Sequence, residues 1–230
     1  MLAIQPLLRL ENAEVRYQTG VALQQVNLSL FKGEKLALVG RSGSGKSTLL
    51  RLIYAHLPDN TALVPQDEGL VATLSVFHNV YMGRLSQHPA WYNLLNLLRP
   101  FPKRVAEIDA ILQRLQMSEK CFVPVAQLSG GQRQRTAIAR SLYQGGDLLL
   151  ADEPVSAVDE RQSRQVFTEL SQQFTTMVVA LHDTALALEY CDRIIGLDAG
   201  RIVLDARADS VTETALAVLY SDQPFSQTSR

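Results

Sequence analysis

The chain has 230 residues, enough for one large or two small domains around a real core. Hydrophobic residues at 47% and charged residues at 20% match ordinary globular proteins, which excludes a disordered, collagen-like or disulfide-scaffolded chain. With 22 Lys+Arg against 23 Asp+Glu the net charge is −1, so no whole-surface attraction to nucleic acid or to an anionic membrane is expected, and any phosphate must be met locally.

Met1–Leu10 lacks the basic start and apolar centre of a signal peptide. Leu7–Tyr17 mixes apolar and polar residues and predicts a strand. Val26–Phe31 alternates, the period of a half-buried antiparallel strand. Lys32-Gly33-Glu34 reads as a turn. Leu36–Val39 is a short unbroken apolar run, as in a strand buried on both faces. Lys46–His56 has helical periodicity, and Pro58-Asp59-Asn60 turns it almost directly into a short strand, Thr61–Val64.

No strand pattern follows from Leu74 to Met117. Ser75–Leu85 and Arg104–Leu115 predict helices, and Trp91–Leu98 is apolar at helical spacing up to Arg99-Pro100. Helices are again expected at Gln132–Tyr143, Glu160–Gln173 and Ala185–Tyr190, and buried strands at Leu148–Ala151, Met177–Leu181 and Ile194–Leu197. Apolar strand, helix, apolar strand is the mark of a parallel sheet with crossover helices. The expected organisation is one α/β domain over 1–230. Its core and β layer take about 7–73 and 145–206, a helical subdomain about 74–144, and a C-terminal helix with a frayed polar tail 207–230. No apolar run approaches the roughly 18 residues of a membrane span. Cys121 and Cys191 fit no metal spacing and are expected to be inert thiols of a reducing compartment.

Gly40-Arg41-Ser42-Gly43-Ser44-Gly45-Lys46-Ser47 fits G-x-x-x-x-G-K-[ST], between a predicted strand and a predicted helix as that motif requires. Its glycines let successive N–H groups turn toward phosphate oxygens, and the helix contributes its positive end. Lys46 is expected at the β- and γ-phosphates and the Ser47 hydroxyl on Mg²⁺, with Thr48 close by. A second carboxylate is needed on another strand, and Leu148-Leu149-Leu150-Ala151-Asp152-Glu153 places it at the carboxyl edge of the sheet. Asp152 would hold Mg²⁺ through its water shell, and Glu153 would orient or deprotonate the attacking water.

Leu128-Ser129-Gly130-Gly131-Gln132 sets two more glycines at a helix start, a second anion nest. A chain holding one nucleotide has no use for a second nest unless it serves another copy. The phosphate loop, then L-S-G-G-Q, then the strand ending in Asp152-Glu153, resembles the ATP-binding-cassette ATPases of ABC transporters over about Leu8–Ala206.

That resemblance implies a P-loop NTPase parallel-sheet core with an N-terminal antiparallel β layer and an inserted α-helical subdomain. It implies that Tyr17 stacks on adenine and that Gln66 touches Mg²⁺ and the water and links to a membrane subunit. It makes Asp159, in Ser156-Ala157-Val158-Asp159, part of a loop between protomers, and His182 the contact to the γ-phosphate. Two cassettes would pack head to tail around two ATP molecules, Lys46 and Glu153 of one chain facing Ser129, Gly131 and Asp159 of the other. The implied partners are a second cassette, transmembrane permease subunits and a periplasmic or surface substrate-binding protein, with no nucleic acid. The implied location is the cytoplasmic face of the cell membrane.

The sequence departs from the family between Lys46 and Gln66, where 19 residues make a shorter span than usual and a smaller antiparallel layer is expected. After its last core strands few residues follow, and no C-terminal regulatory domain is expected. Met82-Gly83-Arg84-Leu85, Trp91, Leu94, Leu95 and Leu97–Pro102 are similar to the corresponding stretch of phosphonate-importer cassettes. The expected role is thus the ATPase subunit of an importer of phosphonate or another small oxyanion. An exporter or membrane-remodelling cassette, and a non-transport cassette subunit of a multi-protein enzyme, are the alternatives.

Overall fold

The computed structural model describes residues 5–18, 20–57 and 59–220, so Pro58 and the tail from Ser221 lie outside the described residues. In chain order the elements are β1 (Leu8–Tyr17), β2 (Gly20–Leu30), β3 (Lys35–Val39), α1 (Lys46–His56), β4 (Thr61–Val64), α2 (Val76–Tyr81), α3 (Ala90–Leu98), α4 (Pro102–Arg114) and α5 (Gly130–Gln144). They continue as β5 (Leu148–Asp152), α6 (Glu160–Gln173), β6 (Thr176–Ala180), α7 (Thr184–Tyr190), β7 (Arg193–Asp198), β8 (Arg201–Arg207) and α8 (Glu213–Ala217). They group into two units. One runs to Thr61 and adds Leu148–Glu153 and everything from Thr175; the other is Ala62–Asp147 with Pro154–Phe174.

In the first unit, the alternation at Val26–Phe31 becomes a strand that buries Val26, Leu28 and Leu30 and leaves Asn27 and Ser29 accessible. β1 and β2 pair antiparallel with Leu8 opposite Leu30 and Leu10 opposite Leu28. The unbroken apolar runs become β3, β5, β6 and β7. β5, β6, β3, β7 and β8 lie side by side in that order. The first four are parallel and β8 runs antiparallel to β7. Leu36–Val39, Leu149–Ala151 and Met177–Ala180 are completely buried, as strands covered on both faces must be. The α/β parallel-sheet class read from the sequence is borne out.

β8 was not among the predicted strands. Its cue is short: Ala199 (φ 43°) and Gly200 (φ 78°) both take left-handed backbone, the two-residue hairpin turn that matches strand twist. This turn is tied to its surroundings. Gln24 N donates to Gly200 O at 2.8 Å and Gly200 N to Ser44 O at 3.0 Å.

The second unit carries α2 to α6. The single helix predicted over Ser75–Leu85 is instead α2 followed by a 3₁₀ stretch, Met82–Gln87, that breaks at Arg84 (φ −123°). At the break the Arg84 guanidinium sits 4.4 Å from the centre of the Tyr143 ring, a cation–π contact. Ser75 is not helical; it caps α2 by accepting from His78 N.

Candidate functional site

In the first unit, β3 ends and the chain enters the phosphate loop at Gly40, with φ 143°. A Cβ there would lie 2.2 Å from Leu197 O, so only glycine fits. Arg41, Ser42 and Gly43 are exposed, whereas Ser44 is buried and its hydroxyl oxygen has no hydrogen-bond partner among the described residues. Gly45 (φ 110°) is the left-handed cap of α1, and Lys46, Ser47 and Thr48 form that helix's first turn. Their amides have no carbonyl behind them in the helix and so point out as donors.

Lys46 is buried and donates to Gly40 O at 2.7 Å and Arg41 O at 3.0 Å. Burial lowers its pKa, and the negative charges of Glu153 and Asp152 pull it partly back. The cation therefore sits between two loop carbonyls and two carboxylates, poised for a stronger anionic partner.

Asp152 closes β5 and is 8% exposed, and its Oδ1 has no hydrogen-bond partner among the described residues. An unsatisfied buried carboxylate oxygen beside a phosphate loop fits a hydrated divalent cation. Glu153 follows with left-handed backbone (φ 52°), unusual for a side chain of this size, held by its N–H donating to Ala180 O at 3.1 Å. That geometry turns its carboxylate to His182, whose Nε2 lies 2.6 Å from Glu153 Oε1. Asp183 next to it is structural: it caps α7 by accepting from Leu186 N. Lys46, Asp152, Glu153 and His182 are thus brought together. Tyr17 ends β1 and is 48% exposed.

In the second unit, Ser129 caps α5. Its Oγ accepts from Gln132 N, and the Gln132 side chain accepts from Ser129 N. Gly130 and Gly131 then occupy the first helical turn, whose amides lack intrahelical acceptors. Gly131 is needed for a second reason: a Cβ there would lie 2.7 Å from Ala157 O. The start of α5 thus packs directly on the loop 156–159, where Asp159 caps α6 by accepting from Gln162 N at 2.9 Å.

Two residues that the sequence reading passed over belong to these arrangements. Gln134, buried, spans α5 and the loop: its Nε2 donates to Ser156 Oγ at 3.1 Å and its Oε1 accepts from Ala157 N at 3.0 Å. The only signal was its place two residues after Gln132. The other is Tyr220, whose hydroxyl accepts from Gly40 N.

Gln66 is exposed in the turn after β4. The turn is pinned two residues on. Arg140 donates to Glu68 O at 2.7 Å and Gly69 O at 2.6 Å, and Arg133 pairs with the Glu68 carboxylate at 3.2 Å. Elsewhere in this unit a groove of about 370 Å³ is lined by Leu74, His78, Tyr81, Met82, Leu94 and Leu97. Trp91, Leu94, Leu97 and Leu98 are 46% to 76% exposed around it, an unusual concentration of bare apolar area.

A family model described as ABC transporter matches residues 23–156. The phosphonates import ATP-binding protein PhnC 1 of Pseudomonas syringae pv. syringae is 38% identical over 249 residues, covering 95% of this chain and 93% of that protein. The phosphonates import ATP-binding protein PhnC of Lactobacillus gasseri is 34% identical, covering 94% of each. Among solved structures, the dimeric bacterial ABC transporter cassette MJ0796 superposes with a TM-score of 0.76 at 26% identity, over 87% of this chain and 98% of that one. The same cassette in a dimeric post-hydrolysis state bound to ADP and Pi gives 0.72, also at 26% identity.

Proposed function

The chain belongs to the ABC transporter family, as its ATP-binding and ATP-hydrolysing subunit, and on that premise we propose that it powers import of a phosphonate or a related small oxyanion through separate membrane subunits. The observation that carries the substrate is the match at 34% to 38% identity, nearly end to end, to proteins named for phosphonate import.

The chemistry asks little covalent work of the protein. It has to align water with the γ-phosphate and neutralise charge. The loop amides beyond Gly40, up to Thr48, wrap the phosphates, and Lys46 exchanges its two loop carbonyls for β- and γ-phosphate oxygens. Glu153 orients the water or takes its proton, and His182, fixed against Glu153, contacts the γ-phosphate. Ser47 and Asp152 would hold Mg²⁺, which shields the phosphate charge when bound. Tyr17 supplies an open ring for adenine.

Ser129, Gly130, Gly131 and Gln132 form the second nest, with Asp159 beside it. In this reading they serve the ATP of a second copy packed head to tail, so nucleotide joins the two cassettes and hydrolysis releases them. The apolar groove offers a seat for a helix of a permease subunit, which would keep the chain on the cytoplasmic face of the membrane, with a periplasmic or surface binding protein delivering the solute. No helix among the described residues is long and apolar enough to cross a membrane.

The test is transport. The chain co-purified with its permease and reconstituted in liposomes should drive ATP-dependent uptake of a radiolabelled alkylphosphonate in the presence of the binding protein. ATP hydrolysis that responds to a different solute, with no phosphonate uptake, would overturn the substrate assignment.

A further inference from the structure

The segment after β8 had no role in the sequence reading, yet its end lies in the nucleotide site. It is anchored by apolar side chains: Leu216 is fully buried and Leu219 is 4% exposed. The anchor has a matching notch. Gly196 interrupts the apolar run of β7, and a Cβ there would stand 2.9 Å from Leu219 Cδ1 and 2.8 Å from Leu204 Cβ. The glycine leaves room for Leu219, and the next residue, Tyr220, is thereby delivered to the carboxyl ends of β3 and β6.

Those ends have an interrupted ladder. Leu181 N donates to Leu38 O at 2.9 Å, continuing the parallel pairing of β3 with β6. The next rung in register would run from Gly40 N to Leu181 O. Instead, Gly40 N donates to the Tyr220 hydroxyl oxygen at 3.3 Å, and the same hydroxyl donates to Leu181 O at 3.4 Å. One phenol acts as acceptor and donor at once and fills the missing rung. Burial raises its pKa, so the proton that makes the second bond is kept.

The two bridged residues are not arbitrary. Gly40 opens the phosphate loop, and Leu181 immediately precedes His182. The Tyr220 and His182 rings lie 6.4 Å apart at 55°, so the phenol also walls the imidazole on one side. A direct rung would draw the two backbones together, whereas a hydroxyl between them holds them one atom apart.

We propose that Tyr220 is a positioning residue for ATP hydrolysis: its hydroxyl, set between Gly40 and Leu181, fixes the spacing of the phosphate loop from His182. This rests on the assignment of Lys46, Glu153 and His182 given above.

Tyr220→Phe tests it, because it keeps the ring and removes only the oxygen. The variant should lower kcat about tenfold and leave KM for ATP within about twofold. In a His182→Ala background the same change should alter kcat by less than about twofold, since Tyr220 acts through His182. An unchanged kcat, a loss confined to KM, or an equal fold-loss in both backgrounds would overturn the proposal. Amide hydrogen exchange on the wild-type chain needs no variant: the Gly40 N–H should be protected, and rapid exchange there would contradict the bridge. A wild-type chain without turnover would sink the site assignment as well, whereas an active wild type beside an unaffected Tyr220→Phe counts against this inference alone.

Discussion

Glu153 Oε1 and His182 Nε2 lie 2.6 Å apart, joining the residue after β5 to the second residue after β6. The contact depends on Glu153 holding a left-handed backbone that a glutamate seldom adopts. Such strain persists only where surrounding bonds enforce it, here the bond from Glu153 N to Ala180 O. In the proposed mechanism a carboxylate so held would present a fixed oxygen to the attacking water.

His182→Ala removes the group that steadies Glu153. Steady-state ATP hydrolysis should show kcat lowered by about tenfold or more, with KM for ATP changed by less than about threefold. A variant with wild-type kcat would show that the contact has no part in turnover.

Gly131→Ala puts a methyl 2.7 Å from Ala157 O, where backbone must give way. The variant should lose about 1–3 kcal/mol of stability by urea unfolding, because the start of α5 is forced off the loop 156–159. It should also fail to dimerise with ATP. Retention of both wild-type stability and dimerisation would count against this packing.

The two thiols give a pH dependence. Burial pushes Cys191 up to about 12 and Cys121 up to about 11. Below the ordinary value of 9.0 both states keep these protons. Above it the unfolded chain loses them first, so stability falls as pH rises from 9.0 toward about 11 and 12. At pH 8 the folded protein should react with a disulfide reagent far more slowly than the denatured chain, which should yield two thiols. Two fast-reacting thiols in the folded protein would contradict this.

Leu94 lines the apolar groove and is 58% exposed. Leu94→Glu should therefore melt within a few degrees of wild type yet co-purify poorly with the permease, because a charge would be buried at the contact. Undiminished co-purification would place the permease contact elsewhere.

Most of the fold was legible because its strands are either strictly alternating, as at Val26–Leu30, or wholly apolar, as at Leu36–Val39. The elements that escaped were set by tertiary contacts. The break at Arg84 answers to Tyr143 across the subdomain, and β8 is specified by a two-residue turn rather than by its own mixed pattern. In the site, Lys46, Asp152 and Glu153 were legible because phosphate chemistry demands those groups at those spacings. Gln134 and Tyr220 were not, since each bridges polar groups that only the folded chain brings near.

In the proposed mechanism Glu153 acts on ATP, and ATP joins two copies of the chain. Glu153→Gln keeps the shape and removes the carboxylate charge, so one preparation tests both parts. With Mg-ATP, sizing chromatography should show this variant as a dimer while its steady-state turnover falls by about a hundredfold or more, and the nucleotide-free protein should run as a monomer. A variant that stays monomeric with ATP would show that ATP does not join two copies, and one that hydrolyses ATP at the wild-type rate would show that Glu153 has no part in turnover.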